Sequence, residues 1–284
     1  MDSPHQLVSG YARLFKDGCH LAPAAAKPAP RPALPHDAPR ALIFSPHPDD
    51  ECIVGGLALR LLRESQFNIV NIAVTLGSKS ARRKERLAEL KHACKHLGFD
   101  LLVANSGGLE SVNAASREND RAHWAVKVNS IAAILGANRP RVIFLPHEHD
   151  RHETHIGTHW LVMDALKQLP AAFECFVVET EFWGQMTTPN LLVEIGELDL
   201  TDLVAALSCH VGEVKRNAYH ARLPAWMLDN VRRAEVVGGA GGDAPDFPFG
   251  TIYRLRKWSH GRMTSVLKEG KTLSREENPG ELFL

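Results

Sequence analysis

The run Ser45-Pro46-His47-Pro48-Asp49-Asp50-Glu51 sets one imidazole and three carboxylates directly after the apolar stretch Ala41-Leu42-Ile43-Phe44. A chain that only had to turn a corner there would use Gly, Asn or Ser. Two adjacent Asp beside a His repel each other unless a cation, or a proton in transit, relieves them. The chemistry that suits such a turn is metal binding. His47 and Asp50 stand three apart across a strand-to-helix turn, so both can face one ion. A catalytic zinc typically takes three N/O protein ligands and leaves one position for water. The dense source for the third is Pro146-His147-Glu148-His149-Asp150-Arg151-His152-Glu153-Thr154-His155. Neither loop has Cys in a ligand position, which favours an open, catalytic site over a closed structural one. His152 and His155 are three apart, so this is not the H-E-x-x-H helix of zinc proteases.

Both loops need strands to carry them. Leu42-Ile43-Phe44-Ser45-Pro46-His47 and Val142-Ile143-Phe144-Leu145-Pro146-His147 share one pattern of apolar run, Pro and His. Two strands thus deliver His-bearing loops to one edge of a sheet. Strand-like and helix-like segments alternate from residue 40: strand 41–46, helix 50–64, strand 68–75, helix 80–97, strand 101–104, helix 121–136, strand 141–145, helix 155–169 and strand 175–180. A helix over 201–219 and a strand over 251–257 follow. This is the pattern of an α/β fold, a Rossmann-like, mainly parallel sheet flanked by helices. The metal site is then expected at the C-terminal ends of the strands, where open sheets bind ligands.

Bulk composition narrows the class. The chain has 284 residues, 44% hydrophobic and 23% charged, with 33 basic and 33 acidic residues. Zero formal net charge gives no support to nucleic-acid or polybasic membrane binding. No apolar stretch approaches membrane-spanning length, so no integral membrane segment is expected. Five scattered cysteines without a C-x-x-C pair, and no signal-peptide core at the start, lead to an expected cytoplasmic location. Residues 1–39 read as an N-terminal arm, Pro/Ala-rich from 21, and residues 271–284 as a polar tail that frays. Gly238 to Gly242 read as a loop rather than a phosphate cradle, because no strand-turn-helix surrounds them. Homo-oligomerisation is left open.

The motifs resemble the LmbE-like, or PIG-L, family of zinc-dependent N-acetylglucosaminyl deacetylases. The first signature, P-H-P-D-D-E with a glycine pair, is matched by Pro46 to Glu51 and Gly55-Gly56. A helical R-x-x-E-x-x-x-A-x-x-x-L-G is matched by Arg86, Glu89, Ala93, Leu97 and Gly98. The second signature, H-x-D-H, is matched by His152 and His155, with Thr154 in place of Asp. Ala206 to His210 matches a later A-x-x-x-H more loosely. The resemblance covers roughly residues 40–258, within one domain expected over 40–270. It implies Zn2+ held by His47, Asp50 and His155, Asp49 as general base and His152 as general acid. It further implies Arg86 at the sugar or its anionic aglycone, with His210 lining the pocket. The implied function is removal of an N-acetyl group from an N-acetylglucosamine-type sugar or glycoconjugate. The alternatives are an amidase for a larger acyl group and, because of Thr154, a catalytically weakened sugar-binding protein.

Simpler readings stand beside several of these. Asp49 could serve as a helix N-cap, and Arg86 could pair with Glu89. His147 and His149 read as a solvated loop edge, and His159 as a partner of the ligands or simply packed. Glu153 or Asp150 could replace the charge missing at Thr154. Glu179, Glu181, Trp183 and Asn190 could form a substrate wall. Cys52 reads as a small buried helix residue.

Overall fold

A computed structural model describes residues 3–21, 30–238 and 245–284. Nine strands form one sheet among the described residues: β1 (Arg40–Ser45), β2 (Asn68–Ala73), β3 (Asp100–Val103), β4 (Val142–Pro146), β5 (Cys175–Thr180), β6 (Leu191–Glu194), β7 (Gly250–Ser259), β8 (Arg262–Ser265) and β9 (Lys271–Leu273). Their order is β3-β2-β1-β4-β5-β7-β6-β9, with β8 beside β7. The first five in this order are parallel, β7 runs antiparallel to β5 and β6, and β9 is parallel to β6. This is the mainly parallel α/β sheet that the alternation predicts. β1 and β4 are neighbours, in register from Ala41↔Val142 to Ile43↔Phe144, so their two His-bearing loops leave the sheet side by side.

The helices are α1 (Pro4–Gly18), α2 (Asp50–Ile53), α3 (Gly56–Ser65), α4 (Arg83–Leu97), α5 (Ala114–Asn119), α6 (Arg121–Asn138), α7 (Glu153–Leu166), α8 (Glu197–Ser208), α9 (Val211–Arg216), α10 (Tyr219–Arg232) and α11 (Ala234–Gly238). Strand side chains alternate between two cores, which is why the strands read as continuous apolar runs. Ala41, Ile43 and Phe176 face α3, α4, α8 and α10, through Leu61, Leu90, Leu203 and Leu223. Leu42, Ile143 and Val177 face α6 and α7, through Trp124, Ile131 and Leu161.

Several boundaries differ from those expected. The helix expected over 50–64 is two, because the chain folds so tightly after α2 that a Cβ on Gly55 would lie 2.2 Å from the Glu51 carbonyl oxygen. The helix expected over 201–219 breaks between Ser208 and Val211, where the ring of His210 turns inward onto Glu51. α1 replaces part of the expected arm; Ser3 caps it, and Gly18 rests on Ala221 of α10 with its carbonyl accepting from His220. Of the rest of the arm, residues 22–29 lie outside the described residues, and Arg31 grips Asp100 and Asn68. Of the glycine loop at 238–242, only Gly238 is described.

The end expected to fray from Lys271 is ordered. β9 pairs with β6, the fully buried Arg60 donates to the carbonyls of Ser274 and Glu277, and Phe283 packs between Phe67 and Phe176. Among the described residues, no helix is long and apolar enough to cross a membrane.

Candidate metal centre

β1 ends at Ser45 and β4 at Pro146, and the two turns that follow bring His47, Asp50 and His155 together. Asp50 Oδ2 lies 3.5 Å from His47 Nδ1 and 3.5 Å from His155 Nε2. It also accepts the His47 backbone N–H at 2.8 Å. His155 Nε2 is buried without a hydrogen-bond partner. These donors fit a divalent metal. Two ligands about 2.1 Å from a tetrahedral ion stand roughly 3.4 Å apart, close to the spacing here. Burial alone would raise the Asp50 carboxyl, but the charges of His155 and His47 and the hydrogen bonds from His47 hold it at about 2. Asp50 is therefore ionised and ready to ligate.

Behind His155 stands Asp150, with Oδ2 3.5 Å from His155 Nδ1. Metal-bound imidazoles commonly place a carboxylate at the far nitrogen, which orients the ring and raises its basicity. Asp150 is thus the partner of His155. Its other oxygen takes the His152 backbone N–H at 2.9 Å rather than the ring, so its charge favours the His152 imidazolium only through space.

Asp49 is not a side-chain cap. It precedes α2, its carboxylate makes no cap bond, and its backbone has φ 118° and ψ −28°. Non-glycine residues in such conformations cost on the order of 1–3 kcal/mol and persist where the surroundings over-determine them. The result is a carboxylate in the cavity wall beside Asp50. Burial, followed by the Asp50 charge, pushes this carboxyl well above the usual range, against the pull of His210 and Arg86.

His152 joins the cluster rather than facing it from across the site. Ligand nitrogens of His47, His152 and His155 all lie within 4.8 Å of one another. His152 Nδ1 accepts the Thr154 backbone N–H at 3.2 Å, which leaves Nε2 to carry the mobile proton. Burial, with His47 and His155 nearby, holds the ring below its ordinary value despite Asp50 and Asp150. Whether His152 ligates or only moves a proton is separable. His152→Gln is expected to retain one metal per chain while kcat falls about 100-fold, the lower end for acid–base groups. Elemental analysis checks the first part; loss of the metal would make His152 a ligand.

The cavity above these residues has a volume of about 560 Å³. One wall carries Lys79, Arg82, Arg83, Arg86 and Arg216. Arg86 does not pair with Glu89. Its Nη2 donates to the Pro48 carbonyl at 3.0 Å and its Nε lies 3.8 Å from Glu213, while Glu89 takes the Gly212 N–H. Gly77, at φ 88°, leaves room for that guanidinium, since a Cβ there would sit 2.2 Å from Arg86 Nη1. Trp183, 46% exposed, forms the opposing aromatic face, its ring 6.2 Å from that of His152.

Other expected positions are corrected by burial. His210 does not line the cavity; it is fully buried, with Nε2 2.7 Å from Glu51 Oε1. His147 is not a solvated edge but is buried on the Gly184 carbonyl at 2.8 Å, whereas His149 is exposed as expected. His159 packs on the Pro146 carbonyl. Of the four residues expected as a substrate wall, only Trp183 reaches the cavity. Glu179 is buried under Arg254 and Arg256, Glu181 under Arg233, and Asn190 bridges to Leu255 of β7. Cys52 is fully buried. Glu51, Cys52 and His210 form a second compact donor group, but the direct Glu51–His210 bond occupies the space an ion would need.

Residues 42–166 match the family model described as PIG-L: GlcNAc-PI de-N-acetylase. No curated protein matches the chain. Among solved structures, the N,N'-diacetylchitobiose deacetylase from Pyrococcus horikoshii, complexed with its inhibitor MPG, is 17% identical with a TM-score of 0.53, covering 90% of this chain and 93% of its own. The zinc-inhibited form of teicoplanin deacetylase is 15% identical at 0.58, covering 77% and 98%. The 4-carboxy-2-hydroxymuconate hydratase from Pseudomonas putida KT2440 is 17% identical at 0.56, covering 81% and 99%. At these identities the likeness is one of fold. The family match is specific to sequence and contains the P-H-P-D-D-E turn and both histidine-bearing loops, so residues 42–166 carry the PIG-L (LmbE-like) family model.

Proposed function

We propose that the protein is a zinc-dependent hydrolase that removes the N-acetyl group from an N-acetylglucosamine-type sugar or glycoconjugate. The observation that carries this reading is the Asp49 carboxylate held free beside His47, Asp50 and His155 at the wall of an open cavity. The family description and the two deacetylases of like fold support it. A zinc held by those three residues would polarise the amide carbonyl and acidify a water. Asp49 takes the water's proton, and its burial favours the carboxyl once that proton has arrived. His152 Nε2 delivers a proton to the departing amine nitrogen. The water's oxygen bonds to the carbonyl carbon, the amide C–N bond breaks, and acetate and a free amino sugar leave. Trp183 offers a face for the sugar ring.

The basic wall favours an aglycone that carries a carboxylate or phosphate. Glu213 is shared by Arg82, Arg86 and Arg216, with Glu85 also near Arg82 and Glu110 paired to Arg83, so Arg82, Arg86 and Arg216 divide two carboxylates among three guanidinium groups. Hydrogen bonds to charged groups contribute about 1.5–3 kcal/mol, so Arg86→Gln should raise KM for such a substrate about tenfold and leave KM for a neutral one near its original value. Equal effects on both would remove Arg86 from aglycone recognition.

The test of the function is acetate release across free, lipid-linked, thiol-linked and oligomeric N-acetylglucosamine substrates. Turnover only of longer acyl chains would favour the amidase, and tight binding without turnover the weakened sugar-binding protein. Water addition to an unsaturated dicarboxylate, with no acetate formed, would point to hydratase chemistry like that of the third structure.

A further inference from the structure

The family signature ends in Glu51, and nothing in the reaction above uses it. Glu51 is fully buried, as is its partner His210, so neither touches substrate. Its two oxygens are committed in different directions. Oε2 accepts the backbone N–H of Asp49 at 2.9 Å. Oε1 takes His210 Nε2 at 2.7 Å and Cys52 Sγ at 3.2 Å. The Asp49 carbonyl is also committed, to the N–H groups of Cys52 and Ile53. Both peptide groups flanking Asp49 are therefore tied, and its φ of 118° falls between them.

We infer that Glu51, braced by His210, is the positioning residue that holds the Asp49 backbone in its left-handed conformation and so aims the Asp49 carboxylate into the cavity. The contact lies on the side of the turn away from solvent. His210 follows α8 and immediately precedes α9, so the brace ties the catalytic turn to a helix pair more than 150 residues away in sequence. A local Asp-Asp-Glu turn could not supply that rigidity itself. Buried polar contacts rigidify what they hold when they are partnered, and here both Glu51 oxygens are, although His210 Nδ1 is not. The inference about catalysis rests on Asp49 being the base, whereas the inference about conformation does not.

The test replaces both partners with apolar groups of similar size, Glu51→Met with His210→Leu, because removing both leaves no buried charge stranded. A crystal structure of the variant should show Asp49 φ returned to negative values, with zinc content still one per chain. Misplacement of a reacting group by about 1 Å costs about 100-fold, so kcat should fall by that order with KM unchanged. Glu51→Gln, which can still accept the Asp49 N–H, should restore kcat to within about tenfold. In an Asp49→Asn background the apolar pair should cost nothing further, because the two changes act through one group. Equal losses in both backgrounds, lost zinc, or Asp49 still near φ 118° would overturn the inference. Glu51→Ala gives the same backbone readout should the pair not fold. If the unaltered protein releases no acetate at all, the reading of the reaction fails, and the Asp49 backbone still decides the inference about Glu51.

Discussion

Asp49→Asn should retain one metal per chain and lose about 1,000-fold in kcat, the middle of the range for a general base and roughly 4 kcal/mol of barrier. The size follows from the site. The other buried carboxylates nearby are engaged: Asp50 is drawn to His47 and His155, Asp150 to His155, and Glu51 is sealed behind the turn, while Glu153 lines the cavity as an exposed residue. Asparagine has nearly the same shape and keeps the backbone N–H that Glu51 accepts, so the fold of the turn should survive. Single-turnover kinetics with metal analysis on the same sample checks both halves. A variant that turns over at near the original rate would take the base away from Asp49. A variant without metal would make Asp49 part of the ligand set.

His47→Ala combined with His155→Ala should leave no bound metal after dialysis and no measurable turnover. Only Asp50 of the three proposed ligands then remains, and one carboxylate does not hold a catalytic zinc against competition from water and buffer. The folded state should persist, since the strand registers that carry the two rings are formed by backbone bonds. Circular dichroism establishes the fold and elemental analysis the metal. Full metal retention would transfer the site to other residues, with His152 the first to examine.

The sequence is most legible where a few adjacent residues carry both scaffold and chemistry. The apolar run 41–44, the proline and the acidic turn specify a buried strand, its end and a ligand loop together, and the same holds at 142–155. The register of β1 with β4 then brings the loops side by side. Histidine environments are much less legible, because burial is settled by distant partners. His147 reads like His149, yet it is sealed under Gly184 from a different loop. His210 is expected in the pocket lining, yet Glu51 draws it inside across 159 positions. The same reason hides Glu51 as a brace and the tail as part of the sheet: the polar residues after 271 are held by Arg60, and Phe283 by Phe67 and Phe176. The basic cavity wall draws on residues 79–86 and on Arg216, which no periodicity connects. Asp150 was visible as a loop carboxylate, but only the fold selects His155 rather than His152 as the ring it serves.

The central claim is metal-assisted removal of acetyl from an amino sugar. Its most direct test measures acetate and free amine together from an N-acetylglucosamine glycoconjugate, using protein stripped by a chelator and then titrated with zinc. The account predicts no product from the stripped protein and equal molar amounts of acetate and amine once zinc is restored, with activity saturating at one ion per chain. Equal product from the stripped and reloaded protein, or zinc binding at one per chain with neither product formed, would contradict it.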